Sequence, residues 1–311
     1  MVDPGAPGAP ITTVVLDDVT VLAEGLSFPE GPVACADGSV LVTEIEAARV
    51  TRVGPGGEVD VVAACGGGPN GAAIGPDGGL YVCNNGGRFA DGNWKGGWVE
   101  RVDLATGSVD VLYTHDGERR LSGPNDIVFD GTGAFWFTDT GKFQGRQRDI
   151  GSLYYATIDG SRLEEAVFPA ESPNGIGISP EGDTLYYAET VTARLRARRI
   201  TGPGVLAPLE GHGIESVLCT MPGLCGFDSL AVDASGTVCI ATLVSGGITA
   251  IAPDGATVTR YVLPPELEDP MTTNLCFGGP GLSTAFITLG TTGRLVSCPW
   301  PNPGLELAFK C

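Results

Sequence analysis

One short pattern recurs along the chain and constrains its fold more than any other feature. In its clearest copy, residues 122–139, a Pro-polar pair opens an apolar strand, an Asp-Gly turn follows, and a second, aromatic strand ends in an acid. Related openings recur five more times along the sequence. The polar residue of the opening falls at six positions: Glu30, Asn70, Asn125, Asn174, Asp228 and Asn274.

The spacing of these six openings predicts the architecture. The intervals between them are 40, 55, 49, 54 and 46 residues, a period typical of four-stranded propeller blades. Pairs such as Asp37-Gly38 and Asp77-Gly78 lie between alternating apolar runs and favour tight hairpins, because these turns need positive φ. The sequence therefore predicts an all-β fold, a six-bladed β-propeller with four-stranded blades.

The repeats cover nearly the whole chain of 311 residues, which favours one domain over two. Residues 1–10 are rich in Gly, Pro and Ala and are expected to form a disordered tail, so the domain is predicted to span residues 11–311. Residues 11–26 are expected to supply an outer strand that helps close the ring, although the sequence does not indicate which strands pair. The sixth blade is expected to end with a strand at residues 305–309.

Charge and hydropathy restrict the partners. The formal net charge is −19, which disfavours nucleic acid because binding to phosphates relies on Lys and Arg. An anionic membrane is disfavoured for the same reason, and no apolar run is long enough to span a bilayer. The charge fits either general solubility or a local negative site that attracts a cation. We expect a small-molecule substrate and a monomer or small homo-oligomer.

The nine cysteines are scattered and contain no Cys-x-x-Cys pair, so they indicate neither a zinc site nor a full disulfide framework. Four lie inside apolar strand patterns: Cys35, Cys83, Cys239 and Cys276. A free cysteine in such a place behaves as a small buried hydrophobe. Pairing of Cys219 with Cys225 stays open. The N-terminal tail lacks the basic and apolar regions of a signal peptide, and we predict a cytoplasmic location.

The six polar openings point to a metal site. In a propeller the inner strands run in one direction along the channel, so equivalent positions form a ring at one mouth. The next strand runs back and brings a second tier to the same mouth: Glu44, Asn84, Asp139 and Glu189. Carboxylates and amide oxygens without nearby His or Cys suit a hard divalent cation. Glu30, Asn174 and Asp228 are favoured as its ligands, whereas Asn70 and Asn274 are expected only to start their strands.

Other catalytic patterns are weak. The chain has two histidines, His115 and His212, and both lie in polar stretches. It contains no Gly-x-Ser-x-Gly elbow and no Gly-rich phosphate loop before a helix. A Ser-His-Asp hydrolase is therefore disfavoured.

The ordered motifs resemble the SMP-30/gluconolactonase/LRE (regucalcin-like) family over residues 26–289. The matching stretches are Pro29-Glu30-Gly31-Pro32, Pro124-Asn125-Asp126, Ser172-Pro173-Asn174-Gly175-Ile176, residues 185–189, and Asp228 before residues 230–233. The resemblance implies one divalent metal ion at the channel mouth, held by Glu30, Asn174 and Asp228, with Asn125 contacting substrate or its water. Whether the ion is Ca²⁺, Mn²⁺, Zn²⁺ or Fe²⁺ stays open. Sugar-lactone hydrolases of this family often carry Arg where this chain has Gly123.

These observations predict a metal-dependent lactone hydrolase. Asp228 is the candidate general base, Asn125 is expected to orient substrate or water, and Asp126 is expected to be structural because it points the other way along the strand. The loops at residues 86–97, around Phe89 and Trp94, and at residues 142–148 are expected to set substrate size. An aromatic wall without Arg at Gly123 favours a less polar lactone than an aldonolactone. Two alternatives stay open: a non-catalytic ligand-binding propeller, and a diverged metal-dependent isomerase or cyclase of a biosynthetic pathway.

Overall fold

The computed structural model describes residues 11–87, 94–209 and 213–311. Within these ranges the chain forms β-strands and short 3₁₀ turns and contains no α-helix. The 3₁₀ turns lie at Ile214–Ser216, Pro265–Leu267 and Pro280–Leu282. None of these helical segments is long and apolar enough to cross a membrane.

The strands of the first half follow the predicted repeats. Two strands precede the first blade: Ile11–Val15 (β1) and Thr20–Ala23 (β2). The first blade comprises Pro29–Ala34 (β3), Val40–Glu44 (β4), Arg49–Val53 (β5) and Val59–Ala64 (β6). The second comprises Pro69–Ile74 (β7), Leu80–Asn84 (β8), Trp98–Val102 (β9) and Val109–Tyr113 (β10).

The third blade is the most elaborate. A two-stranded hairpin precedes it: His115–Asp116 (β11) and Arg119–Arg120 (β12). The blade begins with Pro124–Phe129 (β13) and Ala134–Asp139 (β14). A second hairpin follows: Phe143–Gln144 (β15) and Gln147–Arg148 (β16). The blade ends with Gly151–Thr157 (β17) and Leu163–Ala170 (β18).

The last three blades complete the ring. The fourth comprises Pro173–Ile178 (β19), Thr184–Glu189 (β20), Arg194–Gly202 (β21), the short Val205–Leu206 (β22) and Val217–Thr220 (β23). The fifth comprises Gly226–Val232 (β24), Val238–Leu243 (β25), Ile248–Ile251 (β26) and Val258–Val262 (β27). The sixth comprises Thr272–Gly278 (β28), Thr284–Leu289 (β29) and Arg294–Pro299 (β30). Each inner strand contacts the inner strand of the next blade, so the six-bladed β-propeller predicted from the sequence is confirmed.

The N-terminal strands close the ring. β2 pairs antiparallel with β30, with Thr20 opposite Ser297, and is the fourth strand of the sixth blade. β1 adds a fifth strand to the fifth blade and runs parallel to β27. The prediction of a strand at residues 305–309 is wrong, because β2 already fills the outer position of the sixth blade. Phe309 packs instead against Phe129 of the third blade, with their ring centroids 5.7 Å apart.

The hydrophobic core lies between neighbouring blades. For example, Leu41 and Val50 of the first blade pack with Leu80 and Val82 of the second, and all four are fully buried. Along β4, Leu41 alternates with Val40 and Val42, which are also buried and pack with Phe286 and Leu295 of the sixth blade, so both faces of the sheet are covered. Packing of blade on blade therefore fixes where each inner strand begins.

One cysteine prediction is corrected. Cys35 follows directly after β3 and is bonded to Cys311 in a disulfide, with the Cα atoms 4.5 Å apart. A backbone hydrogen bond also holds the C-terminal chain beside Cys35: the N–H of Ala36 donates to the carbonyl of Cys311 at 3.1 Å. Cys219 and Cys225 are both free. A cytoplasmic location stays a prediction.

Candidate functional site

The first residues of the six inner strands gather at one mouth of the channel. Threonine side chains tie three of the openings to a neighbouring blade: Thr43 Oγ1 donates to the carbonyl of Asn70 at 2.6 Å, and Thr138 Oγ1 donates to that of Asn174 at 2.6 Å. Thr273 Oγ1 donates in the same way to the carbonyl of Pro29 at 2.7 Å. These bonds connect neighbouring blades and hold the openings at one level.

The glycine that follows three of the openings is explained by the close approach of the inner strands. A Cβ at Gly175 would lie 2.6 Å from the amide nitrogen of Leu230 and 2.8 Å from the carbonyl oxygen of Asp228. Gly31 has φ +44° and a Cβ there would clash with the carbonyl of Asn70. The Pro-polar-Gly pattern therefore lets adjacent inner strands meet closely beside the polar residue.

The structure brings the three predicted metal ligands together. Asn174 Nδ2 donates to Oδ1 of Asp228 at 2.5 Å. Asn274 Nδ2 donates to Oε2 of Glu30 at 2.8 Å. The Ser229 hydroxyl lies between these pairs, 3.4 Å from both Oε1 of Glu30 and Oδ1 of Asn174. Side chains from the first, fourth, fifth and sixth blades thus form one connected polar cluster.

The carboxyl groups in this cluster strongly favour protonation. Burial, followed by the charge of Asp228, raises the pKa of Glu30 well above its usual range. Burial also raises the pKa of Asp228 to about 8, although the hydrogen bond from Asn174 opposes the shift. A nearby cation would lower both pKa values, because it favours the ionised form of a carboxyl group.

Two amide oxygens beside the cluster have no partner. Oδ1 of Asn70 and Oδ1 of Asn125 are buried and accept no hydrogen bond. Across the ranges that the structure describes, no three His, Cys, Asp or Glu side chains group as a metal site. A cation held here would therefore need the amide oxygens as well as Glu30 and Asp228. An all-oxygen donor set of this kind fits a hard divalent cation.

The second tier lies where the sequence predicts it but supports the loops instead of the centre. The register pairs it with the strand openings: Pro29 with Glu44, Pro69 with Asn84, Pro124 with Asp139, and Pro173 with Glu189. Asp139, for example, accepts backbone N–H groups from Ser122 and Gly123 at 2.8 and 2.7 Å. Glu44 and Glu189 form ion pairs with Arg49 and Arg196. These side chains fix the loops that lead into the inner strands.

Sequence reasoning missed the part played by Asn274 and Ser229. Asn274 was expected only to start its strand; its Oδ1 does accept the N–H of Leu275 at 2.7 Å, but its Nδ2 also holds Glu30. The position of Asn274 among the six strand openings was the sequence signal that could have predicted its contact with Glu30. Asp126 behaves as predicted, since its carboxylate accepts backbone N–H groups from Ile127 at 3.0 Å and Ile176 at 3.1 Å. It joins the third blade to the fourth.

The two loops expected to shape the site are described in part. Residues 88–93, which include Arg88 and Phe89, lie outside the described residues, as does His212. Trp94 Nε1 donates to the carbonyl of Asn85 at 3.3 Å. Lys142 Nζ donates to Oδ1 of Asn85 at 3.2 Å and to the carbonyl of Gly87 at 2.9 Å. The loop of the third blade is thus bound to the loop of the second at the same mouth.

Comparison with known proteins identifies similar chains. The family described as SMP-30/Gluconolactonase/LRE-like region matches residues 28–291. A gluconolactonase of Zymomonas mobilis is 26% identical over 304 residues, covering 87% of this chain and 78% of the relative. Lactonase drp35 of Staphylococcus aureus is 26% identical, covering 65% and 59%. The diisopropyl-fluorophosphatase of Loligo vulgaris is 29% identical, covering 64% of each chain.

Solved structures share the fold. A gluconolactonase from Xanthomonas campestris superposes with a TM-score of 0.75 at 24% identity, covering 96% of this chain and 99% of the other. A calcium-binding protein, regucalcin, from Agrobacterium tumefaciens superposes with a TM-score of 0.73 at 21% identity, covering 96% and 100%. At these identities the superpositions concern the propeller alone.

Proposed function

Because the chain belongs to the SMP-30/gluconolactonase/LRE-like family, we propose that it hydrolyses a small cyclic ester, a lactone, at the mouth of its channel. The observation that carries the proposal is the buried cluster of Glu30, Asn174 and Asp228 with two unpartnered amide oxygens beside it. Lactonases and a gluconolactonase among the relatives support the same reaction class.

We assign Glu30, Asn174 and Asp228 to one divalent cation, whether Ca²⁺, Mn²⁺, Zn²⁺ or Fe²⁺. The ion supplies positive charge that polarises the ester carbonyl and lowers the pKa of water. The raised pKa values of Glu30 and Asp228 support the assignment, because burial disfavours the ionised carboxylates and a bound cation would favour them.

Asp228 is proposed as the general base. Asn174 holds Oδ1, and Oδ2 accepts the proton of the attacking water. The water oxygen bonds to the carbonyl carbon, the ring C–O bond breaks, and the leaving alkoxide takes up the proton that Asp228 accepted, which gives the hydroxy acid and regenerates the base. Asn125 orients the substrate, and its amide N–H donates to the carbonyl oxygen as negative charge develops there.

The test is turnover of a panel of sugar, aliphatic and aromatic lactones, with and without a chelator. We expect ring opening of at least one class, its loss with chelator, and its recovery when metal is restored. Melting shifts without turnover would instead indicate a ligand-binding propeller. A metal requirement for a different reaction, with no lactone opened, would indicate an isomerase or cyclase. The predicted cytoplasmic location and a monomer or small homo-oligomer belong to the same proposal.

A further inference from the structure

A lysine at the channel mouth has two neutral hydrogen-bond partners. Nζ of Lys142 donates to Oδ1 of Asn85 and to the carbonyl of Gly87. Among the described residues it forms no ion pair with a carboxylate; Asp139 acts on it only at longer range. An ammonium group has three N–H donors. The described residues therefore leave one donor and most of the positive charge of Lys142 for another partner.

Two glycines border the contacts of Lys142. Gly68 and Gly123 lie two residues before Asn70 and Asn125. A Cβ at Gly68 would lie 2.5 Å from Oδ1 of Asn85, which accepts from Lys142, and a Cβ at Gly123 would lie 3.6 Å from Cε of Lys142. A side chain longer than a methyl group at Gly123 would therefore meet the lysine stem.

The equivalent position on the fourth blade carries a hydroxyl group. Ser172 lies two residues before Asn174, and its Oγ is buried without a partner. Thr140 connects it to the lysine loop: Thr140 Oγ1 donates to the carbonyl of Pro173 at 2.5 Å, and its backbone N–H donates to the carbonyl of Gly123 at 3.0 Å. The segment of Ser172 is therefore tied to the loop that carries Lys142.

We propose that Lys142 binds a carboxylate group on the substrate. The inference rests on the proposed function and names its substrate class, lactones that carry a free carboxylate. It differs from the sequence-based expectation of a less polar lactone, which combined an aromatic wall around Phe89 and Trp94 with the missing Arg at Gly123.

The charge distribution across the mouth supports this assignment. Glu30 and Asp228 belong to the first and fifth blades, whereas Lys142 belongs to the third, on the other side of the ring. A substrate with its ester at the acidic cluster and its carboxylate towards Lys142 would separate like charges and pair opposite ones. Burial lowers the pKa of Lys142 to about 8, with Asp139 opposing the shift. The lysine is therefore still mostly cationic at neutral pH.

The experiment separates binding from turnover. Tetrahydrofuran-2-carboxylate and its primary amide, neither of which is a lactone, are titrated calorimetrically into wild type, Lys142→Met, Lys142→Gln and Lys310→Met. Lys310→Met is the matched control, because it removes the same charge at an exposed site that pairs with Glu306. The two lactones 5-oxotetrahydrofuran-2-carboxylate and its amide are then compared as substrates.

We expect the wild type to bind the carboxylate more tightly than the amide, and both Lys142 variants to lose at least about tenfold in carboxylate affinity, the scale of a charge-assisted hydrogen bond. The affinity of the Lys142 variants for the amide should change less than about threefold. The affinity of Lys310→Met for the carboxylate should also change less than about threefold. Failure of the wild type to prefer the carboxylate, or equal losses for carboxylate and amide, would overturn the assignment. Selective carboxylate binding without hydrolysis of either lactone would keep the Lys142 assignment and reject lactone hydrolysis.

Discussion

The side-chain amide of Asn174 donates a 2.5 Å hydrogen bond to Oδ1 of Asp228, a residue 54 positions further along the chain. The bond joins the inner strands of the fourth and fifth blades and fixes the orientation of both side chains. It also directs Oδ1 of Asn174 away from Asp228, towards the side where the Ser229 hydroxyl and Glu30 meet. Two neighbouring blades thus present one preformed group of oxygen atoms.

Loss of either carboxylate in this group is expected to remove the metal. Glu30→Gln and Asp228→Ala should each abolish stoichiometric metal in elemental analysis, because each leaves one carboxylate among amide oxygens, a less charged and weaker donor set. Glu100→Gln is the control, since Glu100 is another buried acid with a raised pKa and its neutral form resembles glutamine. Full metal occupancy in both site variants would place the metal elsewhere.

Replacement of Asp228 by asparagine is expected to lower kcat by about 10² to 10⁴, the usual contribution of a general base. Asn125→Ala should lower kcat by about a hundredfold, as loss of a donor to a developing oxyanion does. The measurement is steady-state kinetics on the best lactone of the panel, with metal occupancy determined for each variant. Asp254→Asn, at an exposed turn of the same blade, should stay within about twofold. A fully metallated Asp228→Asn with wild-type kcat would remove Asp228 from the base role.

Much of the fold follows from local sequence, and so does the ring of polar residues. The hairpin turns depend on Asp-Gly and Gly-Gly pairs, and the blade period fixes how often an inner strand begins. Glu30, Asn174 and Asp228 could be placed together because equivalent positions in a propeller face one channel. The sequence repeat therefore predicted contacts between residues that lie far apart along the chain.

Features outside the repeat could not be predicted in the same way. The pairing of β2 with β30 joins the two ends of the chain, and no local pattern distinguishes it from pairing with another blade. Cys35 and Cys311 are 276 residues apart, so spacing does not link them. Lys142 reaches its place only through the packing of two loops over Gly123, and that depends on tertiary structure.

The metal-free protein is expected to lose stability as the pH rises. The pKa of Asp126 is raised to about 7 and that of Asp228 to about 8, from about 3.8 in the unfolded chain. Between about pH 4 and pH 8 the folded state binds more protons than the unfolded state, so the free energy of unfolding falls as pH increases. Urea denaturation in chelator at about pH 5 and about pH 9 measures the change.

The pH effect has an internal control. Asp228→Asn should show a smaller fall over the same interval, because asparagine does not titrate. Bound metal should also flatten the dependence, since its charge favours the ionised carboxylates. An equal slope for wild type and Asp228→Asn in chelator would show that Asp228 does not titrate in this range.

Gly175→Ala is expected to destabilise the protein and weaken metal binding. The added methyl group would lie within 2.8 Å of backbone atoms of both Asp228 and Leu230, which forces the fourth and fifth inner strands apart at an expected cost of about 1–3 kcal/mol. Gly131→Ala is the matched control, because a Cβ there meets nothing within 4 Å. Denaturation and metal titration should show lower stability and weaker metal binding for Gly175→Ala than for Gly131→Ala. Equal stability and equal metal affinity would contradict the close approach of the fourth and fifth inner strands.

The disulfide between Cys35 and Cys311 is expected to stabilise the protein by about 2–4 kcal/mol, because it closes a long loop and restricts the unfolded chain. Cys311→Ser should lower the free energy of unfolding by that amount, and reducing agent should lower that of the wild type equally. Cys225→Ser removes a free cysteine instead and should have little effect. Because reduction can remove only one bond, Cys311→Ser should not respond to reducing agent. A wild type unaffected by reduction would mean that the C-terminal chain is held by the packing of Phe309 and not by the disulfide.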